Sequence, residues 1–375
     1  MLDFPAVTAM HARVNPFFVP GRVPREPDDR VRVFHRSLPG YSATPLHRCA
    51  GLAQALGLGE VYVKDESQRF GLGAFKALGA AWALERIRAH RPGPITVATA
   101  TEGNHGRAVA WAARLAELPA VVFIPSNAAP ARVERIRGEG ARVELVAGTY
   151  DDAVRRCAAE SAAHGWQVVA DTGYDGYLEI PHWIAEGYAT LFEETREQQA
   201  GAGLAPPDVV IVQAGVGGLL HAAVDHFRAL EIEPMLAAVE PVEADALFAS
   251  INTPEGDPVE SQGRQDSIMA GLNCGAVSLA AWPVVRRGVE LFMTVEDRYA
   301  GEAMRRLARP VGGDPPIVAG ESGAAGLAGL LALLDAPELG SAREFLRLGP
   351  ETRVLLINTE GATDPAGYRR IVGDS

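Results

Sequence analysis

A two-lobed α/β protein, each lobe a mostly parallel twisted sheet covered by helices, is the fold that this sequence predicts. Three observations carry it. Apolar, strand-like runs ending in glycine-rich or polar turns alternate with helical stretches, which is the order of parallel βαβ units. The short runs, such as Val209 to Val212, are apolar without alternation, as strands covered on both faces are. The chain has 375 residues with 47% hydrophobic and 22% charged content, enough for a large buried core or for domains of about 150 residues each.

In chain order, the first fifty residues, rich in proline and arginine, read as an extended segment wrapping the core. The strand in VYVKDES then ends near Asp65, and the alanine-rich stretch Ala74 to Ala89 predicts a helix. A strand over Ile95 to Ala98 opens ITVATATEGNHG, with a second helix over Arg107 to Leu118. Further strands are read in AVVFIPSNA, ARVELVAG, QVVADTG, DVVIVQAGVGG, MLAAVEP, ELFMTV and RVLLINTEG. From Glu193 to Pro207 the sequence turns polar and runs into GAGLAPP, which reads as a crossing between lobes. Gly256 to Asp266 reads as a polar loop, mobile or at an interface.

A formal net charge of -12 repels phosphate backbones and anionic lipid, so neither nucleic acid nor membrane is an expected partner. The start, MLDFPAVTAM, lacks a signal peptide's basic and apolar regions, so the cytoplasm is the expected compartment. Cys49, Cys157 and Cys274 are far apart and form no ligand spacing; they are expected to be reduced packing residues, with no structural metal. Of 35 basic residues only Lys64 and Lys76 are lysines. Arginine cannot act as an amine nucleophile, so these two positions are where amine or ammonium chemistry is to be sought.

Four segments carry candidate chemistry. Lys76 closes FGLGAFK at the start of a helix, where dipole and burial are expected to lower its pKa toward Schiff-base reactivity. Lys64 lies inside the strand end and suits a structural ion pair better. Thr101 to His105, in ATEGNHG, turn from a strand end into a helix and offer N–H groups to an anion; alone, the pattern is equally an Asn/Gly cap. Gly215, Val216, Gly217 and Gly218, in QAGVGG, can cradle a phosphate without being a GxGxxG or Walker A pattern, and a tight βα turn explains them equally. Thr359, in NTEGATDP, places a hydroxyl at the end of the last strand, suited to a heteroaromatic nitrogen.

The ordered set FGLGAFK, ATEGNHG, ADTGYDGY, QAGVGG, SIMAGLNCG and NTEGATDP resembles the fold-type II pyridoxal-phosphate enzymes, most closely the diaminopropionate ammonia-lyases, from about Asn15 to Tyr368. The resemblance implies a large cofactor domain, 1–80 plus 205–375, around a small α/β domain, 81–204. It implies that Lys76 bonds pyridoxal phosphate and that Gly215 to Gly218 bind its phosphate. Asn104 would meet its phenolic oxygen, and Thr359 its ring nitrogen. It further implies that Asp171 removes the Cα proton of the L-substrate and Glu102 that of the D-isomer, while Thr101, Glu102, Gly103, Asn104 and His105 bind the substrate. His105, Tyr174 and Tyr177 stand either as pocket lining or as packing, and Glu240 and Ser322 either near the cofactor or as local hydrogen-bonding groups. Two departures stand out: Glu102 replaces the family's aspartate, and Gly73 replaces its asparagine.

The activity so implied is α,β-elimination of 2,3-diaminopropionate to pyruvate and ammonia by a homodimer. A dehydratase of serine, threonine or 3-hydroxyaspartate and a β-replacement enzyme are the alternatives within the fold. A non-catalytic binding protein on this scaffold would be expected to lack Lys76 or the base.

Overall fold

The computed structural model describes residues 10–21, 29–101, 103–126, 128 and 130–373. Eleven strands form among them: β1 (Ala12–Val14), β2 (Leu46–Arg48), β3 (Glu60–Asp65), β4 (Val97–Ala100), β5 (Ala120–Pro125), β6 (Arg142–Val146), β7 (Gln167–Val168), β8 (Val209–Gln213), β9 (Met235–Pro241), β10 (Leu291–Val295) and β11 (Arg353–Asn358). They make a seven-stranded sheet, ordered β1-β10-β9-β8-β11-β3-β2, and a four-stranded sheet, ordered β6-β5-β4-β7. All pairings are parallel except the two at the edges of the larger sheet, β1 with β10 and β2 with β3.

Each of the nine runs read as strands from the sequence forms one, β3 to β11. The buried strands behave as their composition requires: Val209 to Val212 are enclosed on both faces by helices. The helix Lys76–His90 packs along the helix Glu179–Gly201, and the apolar cluster around them is continuous from Val97 and Val122 of the smaller sheet to Val210 and Leu355 of the larger.

Two segments differ from the sequence reading. The first fifty residues are not only an extended wrap: they supply both antiparallel edge strands and a helix, Arg30–Ser37. Three-residue strands are too short for a periodic signal, and their place at a sheet edge is decided by tertiary pairing. The polar stretch from Glu193 is not a crossing either, because the helix runs on through Gly201 and only Ala202 to Asp208 cross to β8.

Its polarity has a buried cause. Glu194 on that helix accepts from Lys64 Nζ at 2.8 Å and from Arg69 Nη2 at 2.7 Å, and all three side chains are enclosed. Arg69 also binds Glu66, Lys64 donates to the Thr44 carbonyl at 2.7 Å, and Tyr41 donates to Glu194 at 2.8 Å. Desolvation would push the Glu194 carboxyl up, but the two cations outweigh it and hold it at about 2. The network ties the start of the chain and the turn after β3 to the long helix.

Glu194→Ala leaves Lys64 and Arg69 buried without their shared anion, a loss of ~3–5 kcal/mol by analogy with broken buried pairs. Urea unfolding checks it, with the exposed Arg142–Glu144 pair as reference, where Arg142→Ala is expected to cost no more than ~1 kcal/mol.

Candidate active site

The carboxyl ends of β3, β8 and β11 in the larger sheet face those of β4 and β7 in the smaller one across a cleft, the position where open α/β sheets bind ligands. Lys76 reaches it from the large-sheet side. After β3 the chain makes a 3-10 turn over Glu66–Gly71, with Phe70, Gly71 and Gly73 all at positive φ. Gly73, at φ +82°, occupies the left-handed region that glycine adopts freely and asparagine tolerates. The departure from the family's asparagine therefore keeps the turn. Backbone bonds then stitch this segment to the end of β11: Phe75 N donates to Thr359 O at 3.1 Å and Gly361 N to Gly73 O at 2.9 Å. Lys76 is the first residue of its helix.

From the small-sheet side Asp171 follows β7, and its Oδ2 receives Lys76 Nζ at 2.6 Å. Burial disfavours the ammonium, but the Asp171 charge outweighs it, so the Lys76 pKa is held above the usual lysine range. Burial likewise pushes the Asp171 carboxyl up, yet Lys76 and then His105 pull it well below the usual carboxylate range. This corrects the sequence reading of a lowered lysine pKa. That reading weighed helix position and burial but could not see a carboxylate 95 residues away.

His105 Nε2 donates to Val169 O at 2.9 Å, while Nδ1 lies 3.8 Å from Asp171 Oδ2, buried and without a hydrogen-bond partner. Tyr177 accepts from Ala170 N at 2.9 Å and donates to Val168 O at 3.1 Å, bracing the strand end that carries Asp171; Tyr174 stacks on its ring. Thr101 Oγ1 takes the N–H groups of Gly103 and Gly106 at 3.0 and 3.2 Å, holding the turn into the helix Asn104–Leu115. Asn104 Nδ2 donates across the cleft to Glu360 Oε2. Glu102 lies outside the described residues.

Gly215 to Gly218 form the turn from β8 into the helix Gly218–Phe227. Gly217 sits at φ +97°, and a Cβ on Gly215 would come within 2.9 Å of Cys274 Sγ, so the turn is tight and admits no side chain there. Thr359 is buried at the end of β11 and accepts from Gln213 Nε2 at 3.1 Å. Glu240 is occupied locally, accepting from Leu247 N and Phe248 N at 2.8 and 2.7 Å, and Ser322 Oγ accepts from Gly271 N at 2.9 Å.

These parts suit pyridoxal phosphate: an amine, a glycine-lined helix start for a phosphate, and a neutral hydroxyl at a strand end. The buried Tyr188 hydroxyl stands beside Lys76, with which it interacts electrostatically, and its ring packs on Phe75 at 4.6 Å. Tyr188 carried no sequence signal, since an aromatic residue within an apolar helix reads as packing. Glu360 lay inside the NTEGATDP motif but was given no role there.

The chain belongs to the pyridoxal-phosphate dependent enzymes, whose family model matches residues 38–360. It is similar to the diaminopropionate ammonia-lyases of Salmonella typhimurium (strain LT2), at 39% identity over 366 residues and 91% of each chain, and of Escherichia coli (strain K12), at 40% over 363 residues, 91% of this chain and 90% of that one. The crystal structure of the selenomethionine-incorporated holo Escherichia coli lyase matches with a TM-score of 0.90 and 37% identity, covering 97% of this chain and 96% of that one. The structure of that lyase with an aminoacrylate-PLP azomethine reaction intermediate matches at 0.89, with 37% identity and 97% of each chain covered. The fold is thus fold type II, and pyridoxal phosphate is the cofactor.

The Lys76–Asp171 pair sets a pH dependence in the cofactor-stripped protein. Asp171, lowered, contributes stability above its unfolded value of about 4 and loses it as pH falls toward the folded one; Lys76, raised, contributes below about 10 and loses it as pH rises beyond. Asp171→Asn is therefore expected to lower the urea midpoint at pH 7, with the gap to the unaltered protein narrowing as the pH drops below about 4.

Proposed function

We propose that this protein catalyses the α,β-elimination of 2,3-diaminopropionate to pyruvate and ammonia, acting as a homodimer in the cytoplasm. The observation that carries the reading is Lys76 Nζ lying 2.6 Å from Asp171 Oδ2, the two residues arriving from different sheets. The likeness to the two bacterial diaminopropionate ammonia-lyases over nine-tenths of the chain supports the substrate. No helix among the described residues is long and apolar enough to cross a membrane. We assign 1–80 with 205–375 to a large cofactor domain and 81–204 to a small one, in accord with the residues that supply each sheet.

Lys76 would hold the cofactor through its amine, the N–H groups of Gly215, Val216, Gly217 and Gly218 its phosphate, Asn104 its phenolic oxygen and Thr359 its ring nitrogen. When bound, pyridoxal phosphate supplies an electron sink for the pair released at Cα. Thr359 is a hydroxyl, not a carboxylate, so it leaves the ring nitrogen less protonated; that suits a reaction in which the β-substituent carries the electrons away. The turn from Thr101 to His105 receives the substrate carboxylate at the start of its helix.

Asp171 takes the Cα proton of the L-substrate. Its basicity rises once the Lys76 nitrogen is no longer an ammonium, because the charge that depresses it is gone. His105 Nδ1 lies 3.8 Å from the same carboxylate oxygen. Departure of the β-amino group as ammonia and hydrolysis of the remaining enamine give pyruvate and a second ammonia. Glu102 serves the D-isomer in this reading. Glutamate is one methylene longer than the family's aspartate, and proton transfer is sensitive to such a change, which disfavours use of both isomers.

Assays of pyruvate and ammonia with L- and D-diaminopropionate, serine and threonine test the proposal. Two ammonia molecules per pyruvate, with the L-isomer turned over faster, are expected; turnover confined to the hydroxy amino acids would overturn it. Lys76→Ala is expected to abolish both the yellow colour and turnover, and borohydride should trap the cofactor on Lys76 alone. Size-exclusion chromatography reads the dimer.

A further inference from the structure

Glu360 is a carboxylate buried at the cleft with nothing to do in the chemistry described so far. It follows Thr359 directly and is enclosed at 6% exposure. Oε2 accepts from Asn104 Nδ2 and, at 3.3 Å, from Thr363 Oγ1; Oε1 accepts from Ser322 N at 3.3 Å. Burying a carboxylate is costly, and it pushes the Glu360 pKa above the usual range. A glutamine of the same shape would avoid that cost. It would also turn an NH2 group toward either the Ser322 N–H or the Asn104 amide, setting donor against donor. Only an acceptor on both oxygens meets this set of partners.

The carboxylate also decides which way Asn104 faces. An amide can present either oxygen or nitrogen to its surroundings, and the acceptor at Glu360 fixes the nitrogen on that side. Asn104 Nδ2 has two hydrogens. One is held by Glu360, and its partner remains for the phenolic oxygen of the cofactor, which rests on the reading given above. The bond also joins the two sheets, since Asn104 follows β4 and Glu360 follows β11.

We infer that Glu360 is a positioning residue, which acts through Asn104 by fixing its amide nitrogen toward the cofactor's phenolic oxygen. It touches neither substrate nor cofactor in this role.

The test is a double-mutant cycle on the holoenzyme, read by titration of pyridoxal phosphate and by the position of the visible band, with turnover recorded alongside. Glu360→Gln is expected to weaken cofactor binding about tenfold, the size of one lost charge-assisted hydrogen bond, and to move the band in the same direction as Asn104→Ala. In the Asn104→Ala background, adding Glu360→Gln should change affinity by less than ~2-fold, because partners in one interaction are not additive. Independent, multiplying effects would overturn the inference, as would a Glu360→Gln band and affinity equal to those of the unaltered enzyme.

A second variant covers the case in which Glu360→Gln folds poorly. Glu360→Asp keeps an anionic acceptor but withdraws it by one methylene, so it should weaken cofactor binding several-fold and move the band in the direction of Asn104→Ala, with both effects lost in the Asn104→Ala background. Effects that persist in that background would overturn the inference. A wild-type protein that forms no visible band with pyridoxal phosphate would instead sink the functional reading itself, which separates the two failures.

Discussion

The contact between Lys76 Nζ and Asp171 Oδ2 is the point on which the architecture converges. Its two residues arrive from different sheets, one after β3 and the other after β7, so the contact exists only if both sheets direct their carboxyl ends into the same cleft. Parallel strands with helical crossovers achieve that, because every strand then ends on the same side and every following turn is free to carry a polar group. The glycine turn after β8, the hydroxyl after β11 and the helix start after β4 are further uses of this rule. Antiparallel pairing is confined to edge strands, where it does not disturb the alignment.

The same contact is electrostatically self-limiting. An ammonium and a carboxylate at 2.6 Å each hold the other in its charged form, which makes the amine a poor nucleophile and the carboxylate a weak base. If Lys76 holds the cofactor as proposed, loss of its ammonium would relieve the Asp171 carboxylate of the charge that depresses it. Orientation comes from elsewhere: the stitches from Phe75 and Gly73 to the end of β11 hold Lys76, while Tyr177 holds the strand end before Asp171. The Lys76–Asp171 contact is thus braced from both sheets by bonds in which neither side chain takes part.

What could be read in the sequence divides along the same line. Strands β3 to β5 and β8 to β11 were legible because each is an apolar run buried on both faces, β6 and the two-residue β7 because a βαβ order and a strand-end turn frame them, and Lys76 because lysine is so rare here. The edge strands β1 and β2 were not, since three residues carry no period. The run from Glu193 looked like a linker because polarity was taken for exposure, whereas Glu194 is enclosed by Lys64 and Arg69. The Lys76 pKa was misjudged for a related reason: its partner is remote in the chain. Local pattern reveals elements and strand-end motifs; it is silent about which remote charge sits beside which, and that decides both errors.

The two lysines show how strongly geometry selects residue type once the partners are known. Arg69 engages Glu66 and Glu194 with a planar fork, each nitrogen matched to a carboxylate oxygen. Lys64, a few residues earlier, donates from one compact ammonium to three acceptors, the Thr44 carbonyl at 2.7 Å, Glu194 at 2.8 Å and Gln198 at 3.0 Å. A point charge with three diverging hydrogens suits that arrangement, and a flat guanidinium does not. At Lys76 the demand, in the proposed function, is chemical: only a primary amine can form an imine with an aldehyde. A bias that replaces lysine with arginine elsewhere therefore stops at one place for shape and, in the proposed function, at one for reactivity.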